Sequence, residues 1–174
     1  MKTWLLVIFG ALAVLIVAVL VIGWLLPRNH QASRSVVVDQ PPEAIWSVIT
    51  DYAAAPEWRK DIASVRREER DGQTVWVEVS QNGDEIGYVT VESREPEHLV
   101  RRIVGDDLPF GGDWTFEIEP AAAGSKVTIT ETGYVDNPIF RFVSVVFIGH
   151  PRFMDQYLRF LGERFGQTVT PTDA

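Results

Sequence analysis

In the run SKVTITETGY, Glu131 shares the parity of Val127 and Ile129, so strand alternation turns its carboxylate inward with them. An inward carboxylate must be paired, or it takes up a proton. In HLVRRIV, Arg101 shares parity with Leu99 and Ile103, and Arg102 with Val100 and Val104, so one of the two guanidiniums points inward unless the strand bulges. An inward arginine facing Glu131 would form a polar pole, able to orient a ligand or to act as acid, base or oxyanion partner. The alternative is a solvated rim pair of little energetic value. His150 is the one histidine of residues 137–165 and has the side chain that moves protons near neutral pH, although a histidine beside a helix break is more often a cap or a hinge. His30 falls in a polar stretch and His98 in a turn, so no three ligands converge, and neither metal nor cofactor is expected. No nucleophile elbow, phosphate loop or paired-carboxylate motif occurs. Gly111-Gly112 is too short to cradle phosphate and reads as a tight loop. The chain has no cysteine, which excludes disulfides and thiolate chemistry.

A second group is aromatic. Trp58, Trp76, Tyr88, Trp114, Phe116, Phe142, Phe147 and Tyr157 can wall a cavity for an apolar ligand. Taken singly, each also fits a close-packed core.

These residues need elements to position them. Residues 137–165, NPIFRFVSVVFIGHPRFMDQYLRFLGERF, carry apolar residues three or four apart, the pattern of a long helix with one buried face. Asn137-Pro138 starts it, and Gly149, His150 and Pro151 interrupt it, giving one kinked helix or a short and a longer one. The short arm, 139–148, is apolar nearly all round and must cover something greasy. Upstream, 34–39 reads as a strand, 43–50 as a short helix, and 51–61 as a second short helix or turn. Strands follow at 62–70, 73–80, 85–94, 99–104, 114–119 and 125–134, with hairpin signals at Asp71-Gly72 and Asn82-Gly83. The segment 105–113, GDDLPFGGD, reads as a glycine-rich loop.

Residues 3–26 carry no charge and exceed the roughly 20 apolar residues that span a bilayer, so 1–26 reads as a single-pass transmembrane anchor. Its apolar core is longer than the roughly 7 to 15 residues of a cleaved signal. Trp4 and Trp24 suit interfacial positions. Residues 27–33 read as a linker, 34–166 as one domain and 167–174 as a disordered tail. Lys2 faces Arg28 and Arg34 across the span, which gives orientation only a slight lean toward a soluble domain outside the cytoplasm. Of the 16 basic residues, those three lie at or before position 34, leaving 13 against 24 acidic residues beyond it, a net of −11. Such a surface excludes nucleic acid as a partner.

The order of strand, two short helices, about six more antiparallel strands and a long C-terminal helix resembles the helix-grip fold of the α+β class. More narrowly, VVVDQPPEAIWSVITDYAAAPEW (36–58), LVRRIVGDDLPFGGDWTFEIEP (99–120) and SKVTITETGYVDNPIFRF (125–142) resemble the SRPBCC superfamily, in its polyketide cyclase/dehydrase and START-like branch. The resemblance covers about 34–165. It implies a curved sheet of about seven strands wrapped on the long helix, with a cavity between them for a lipid, polyketide, sterol or other hydrophobic molecule. The expected function is a membrane-anchored binding or carrier protein for such a ligand. Trp58, Trp76, Tyr88, Arg101, Arg102, Trp114, Phe116, Glu131, Phe142, Phe147 and Tyr157 are its candidate contacts, and segments 105–113 and 139–148 its access route. A cyclase- or dehydratase-like enzyme and a ligand-free membrane interaction module are the alternatives.

Overall fold

A computed structural model gives the fold. It describes residues 2–105, 108–149 and 151–174, leaving aside the side chains of Lys2, Thr3, Phe147 and Ile148. His150, weighed above as an acid, base or hinge, lies outside the described residues.

An apolar helix, α1 (Lys2–Leu25), precedes strand β1 (Asn29–Val38) and helix α2 (Pro42–Thr50). A 3-10 turn (Tyr52–Ala54) and the short helix α3 (Ala55–Trp58) then lead into β2 (Ile62–Arg70), β3 (Gln73–Ser80), β4 (Glu85–Arg94), β5 (His98–Val104), β6 (Phe110–Ala121) and β7 (Gly124–Val135). Helix α4 (Pro138–Val143) runs into a π-helical turn (Ser144–Ile148), and α5 (Pro151–Arg164) and the two-residue β8 (Thr172–Asp173) complete the chain. All eight strands form one antiparallel sheet in the order β2-β3-β4-β5-β6-β7-β1-β8. This is the α+β helix-grip arrangement, preceded by one apolar helix.

The local chemistry accounts for the turns and ends. Asp71 and Gly72 both adopt positive φ (49° and 77°), the backbone of a tight hairpin whose twist matches the strands it joins. Asn137 caps α4 by accepting from the amides of Ile139 and Phe140, with Pro138 in the first turn. Gly149 takes φ 73° between the π turn and Pro151, so the expected interruption falls where proline denies the helix a donor. Beyond it, Met154, Tyr157, Leu158 and Leu161 form the buried stripe of α5. They pack against Phe116, Ile118, Val127 and Ile129 of the sheet and Ile45 and Trp46 of α2.

Four boundaries differ from the sequence expectations. The segment 27–33 is not a linker: β1 begins at Asn29 and pairs continuously with β7, from Asn29 opposite Tyr134 to Val38 opposite Ser125. Its polar half is held by polar partners, as in the Ser33 and Thr130 hydroxyls 2.8 Å apart, so hydrophobic alternation does not mark it. The loop expected at 105–113 ends early, because Phe110–Asp113 belong to β6. Gly112, at φ 146°, lies so close to β7 that a Cβ there would stand 2.4 Å from the Thr132 carbonyl oxygen. The glycine pair is therefore a crowded stretch of ladder and not a flexible loop. The tail is tied down as well. Arg34 donates from Nε to Asp155 of α5 at 2.6 Å and from Nη2 to the Pro171 carbonyl at 3.1 Å, and it also pairs with Asp173. The fourth difference is β8, which adds an eighth strand to the seven expected.

Burial orders the cost of substitution. Leu158→Ala, at a side chain with no exposed surface, should lower unfolding stability by about 2–5 kcal/mol. Val37→Ala, on the exposed face of β1, should change it by less than about 0.5 kcal/mol. Paired urea titrations measure both.

Candidate ligand-binding site

A cavity of about 480 Å3 lies between the sheet and α5. That volume lies within the roughly 300–1,000 Å3 of small-molecule sites. Ile86, Tyr88, Ile103, Phe110, Trp114 and Tyr157 supply its apolar wall. Asn82, Asp84, Tyr134, Phe140 and Phe153 line it while being exposed, which marks the mouth between the β3–β4 hairpin and the α4–α5 junction.

A buried ionic cluster forms the floor. Glu78 of β3 accepts from Arg59 Nη1 with one oxygen at 2.7 Å and from Arg101 Nη1 with the other at 2.9 Å, and Arg59 Nη2 reaches Asp61 at 2.9 Å. Glu78 and Arg101 are each only 5% exposed. Burial raises the pKa of Glu78, but the charges of Arg101 and Arg59 outweigh it and hold the carboxyl below its usual range. Burial likewise works against the Arg59 charge, and Glu78 beside it reverses the balance, so its pKa is raised. Arg101 is stacked between two rings, its guanidinium carbon 4.3 Å from the Tyr52 centroid and 4.4 Å from that of Tyr88. Arg59 lies 5.2 Å from the Tyr157 centroid. Burial pushes the Tyr88 and Tyr157 hydroxyls up, so both stay protonated at neutral pH.

The cluster still has donors to spare. Arg101 Nε and Nη2 and Arg59 Nε are buried without an acceptor among the described residues. Both arginines wall a recess of about 30 Å3 whose lining includes Glu78, Tyr88, Trp114 and Tyr157, all shared with the main cavity. Higher on the wall, His30 Nε2 stands 3.6 Å from Glu131 Oε1, and burial lowers the pKa of His30 so that its ring is neutral at pH 7.

Four of the sequence candidates line the cavity: Tyr88, Trp114, Glu131 and Tyr157. Arg101 and Phe116 line the recess beneath. Trp58 is core, edge-on to Tyr157 at 5.2 Å, and Trp76 supports Tyr52 at 5.4 Å without reaching the cavity. Phe142 is half-buried away from the cavity, and the side chain of Phe147 lies outside the described residues. The parity argument gives one inward arginine, and it is Arg101. Arg102 points outward and holds Asp113 with two bonds of 2.7 and 2.8 Å. The expected Arg101–Glu131 pair does not form, because in the register Arg101, Trp114 and Glu131 stand side by side on β5, β6 and β7 and the indole separates the two charges. Sequence reasoning missed Arg59 and Glu78, although Glu78 carries a signal, an acidic residue on the same face of β3 as Trp76. It also missed His30, which lies in β1 where the polar composition of 27–33 reads as a linker. Among the described residues, no group of three or more His, Asp or Glu is placed to hold a metal ion.

Residues 29–165 match the family described as polyketide cyclase / dehydrase and lipid transport. Among solved structures, the di-domain ARO/CYC StfQ from the steffimycin biosynthetic pathway is similar at 14% identity and a TM-score of 0.62, over 80% of this chain and 52% of its own. This chain therefore spans about half the length of StfQ. Norcoclaurine synthase from Thalictrum flavum, in complex with dopamine and hydroxybenzaldehyde, is 12% identical with a TM-score of 0.60, over 79% of this chain and 86% of its own. XoxI from Bacillus cereus is 17% identical with a TM-score of 0.56, over 80% and 96%. At these identities the likeness is one of fold. No curated protein matches the sequence.

Glu78→Gln should leave two buried guanidiniums facing one another and cost about 3–5 kcal/mol of stability. Because the pKa of Glu78 is depressed in the folded state, its contribution is complete above the unfolded carboxylate value of roughly 4.3 and is lost as the pH falls through the lower folded value. Thermal unfolding from pH 7 to pH 3 should therefore show the gap between the parent chain and Glu78→Gln closing only on the acid side.

Proposed function

This chain belongs to the polyketide cyclase / dehydrase and lipid transport family, and we propose that it holds a hydrophobic small molecule or lipid in the cavity between sheet and α5, beside a membrane that α1 spans. One observation carries this reading, a cavity of about 480 Å3 with an aromatic and aliphatic wall over a charged floor. The wall takes the apolar body of the ligand out of water, at about 25 cal/mol for each Å2 covered. The unspent N–H groups of Arg101 and Arg59 donate to an oxygen of its polar end, which fixes which end goes in first. Trp114 contributes most to selectivity, since it stands between that floor and Glu131. Helix α1 includes a 22-residue apolar stretch, Trp4–Leu25, long enough to cross a bilayer, and it supports the membrane part of the proposal.

A cyclase-type reaction is the second reading, and the His30–Glu131 pair favours it. A neutral imidazole 3.6 Å from a carboxylate in a cavity wall would be a candidate general base. StfQ and norcoclaurine synthase share this fold and are described by their reactions or pathways.

Native mass spectrometry with lipid extraction on the detergent-solubilised full chain should show a stoichiometric hydrophobic species. Trp114→Ala should reduce its retention roughly tenfold or more, the loss of one aromatic wall, while thermal unfolding stays cooperative. An empty parent protein, with no lipid in a panel raising its melting temperature, would remove the binding reading. A turnover that is lost in Glu131→Gln with ligand retention unchanged would select the enzyme.

A further inference from the structure

Segment 138–148 is apolar beyond what the domain buries. Ile139, Phe140, Val145 and Val146, with Phe153 of α5, are each 43–55% exposed, and Phe140, Ser144 and Phe153 line the cavity. The partner of this face is indicated by α1. Helix α4 packs along its C-terminal turns: a Cβ on Gly23 would fall 2.0 Å from the Pro138 carbonyl oxygen, and Ala18, Val19 and Leu26 are half-buried where residues 4–17 are exposed. The footprint from Leu26 back to Ala18 is roughly 12 Å of helix at 1.5 Å per residue. If Trp4–Leu25 crosses a bilayer with a core of roughly 30 Å, α4 lies inside the outer third of that core and not above it.

Arg141 is a charge in the middle of α4, and charges at membrane depth face the protein interior and pair with one another or with backbone carbonyls. It is buried, and Nε donates to the Val135 carbonyl, Nη2 to that of Asp136, and Nη1 to those of Gly23 and Leu26, all at 3.0–3.2 Å. The last two are carbonyls at the end of α1 that no further turn would satisfy, and a cation there also complements the helix dipole. The helical and π-helical form of 138–148 pairs most of its backbone internally, Asn137 accepts from the first amides, and the Gly149 amide donates to the Ser144 carbonyl.

We propose that α4 and the π turn are embedded in the bilayer beside α1, so that the cavity opens into the acyl layer and takes its ligand from the membrane. This rests on α1 spanning the membrane but not on the identity of the ligand. The absence of cysteine makes the test direct. Single variants Val145→Cys and Val146→Cys, at exposed positions, carry a nitroxide label in the full chain in phosphatidylcholine nanodiscs. Val14→Cys in the middle of α1 and Asp71→Cys at the β2–β3 turn are the controls. Collision rates with oxygen, which concentrates in lipid, and with a water-soluble nickel chelate are then compared. Both Val145 and Val146 labels should show an oxygen-to-nickel ratio several-fold above that at Asp71 and near that at Val14. A lipid signature at Val14 with a water signature at Val145 and Val146 would overturn the proposal and leave the anchor standing. Low collision with both reagents at Val145 and Val146 would place them under protein and overturn it too. A water signature at Val14 would remove the anchor and the proposal together, with ligand retention in detergent still free to decide the cavity function.

Discussion

Placing Glu78 at 5% exposure costs several kcal/mol unless its charge is answered, and the answer is one guanidinium on each oxygen. Much of the site follows from that requirement. Arg59 must come from the end of α3 and Arg101 from β5, so the end of α3 is pinned against the sheet. Two arginines need rings and carboxylates around them, and Tyr52, Tyr88, Tyr157 and Asp61 are placed accordingly. A floor built in this way cannot be filled by aliphatic side chains. The space above it stays open, and donors are left over.

The fold was legible wherever a single physical signal dominated a segment. Asp71-Gly72 takes the positive φ values that its composition suggests, and the three-to-four spacing of Met154, Tyr157, Leu158 and Leu161 is the buried face of α5. Legibility failed where partners were distant in sequence. The first half of β1 is polar because it faces the polar end of β7, and Gly111-Gly112 is small because β7 crosses close to it, not because the chain must flex there.

The candidate site was legible by half. Alternation gives the facing of Arg101 and Glu131, but it carries no information on which inward charges meet. Trp114 stands between these two, and the partner of Arg101 lies two strands away on β3. The apolar short arm of the C-terminal stretch was recognisable as covering something greasy. Its neighbour proves to be the other apolar segment of the chain, α1, joined to it through Arg141.

Only Leu26, Pro27 and Arg28 separate α1 from β1, and even these are engaged, since Arg28 pairs with Asp136 and its carbonyl accepts from the Val135 amide at 3.0 Å. Three extended residues would reach roughly 10 Å, less than the thickness of the domain they would have to swing. With α1 in one bilayer, the cavity cannot travel to a second membrane. If α1 is held in one bilayer, such a protein would work as a fixed station and not as a ferry: what it takes up would be changed in place, returned to the same membrane, or collected by something that comes to its mouth.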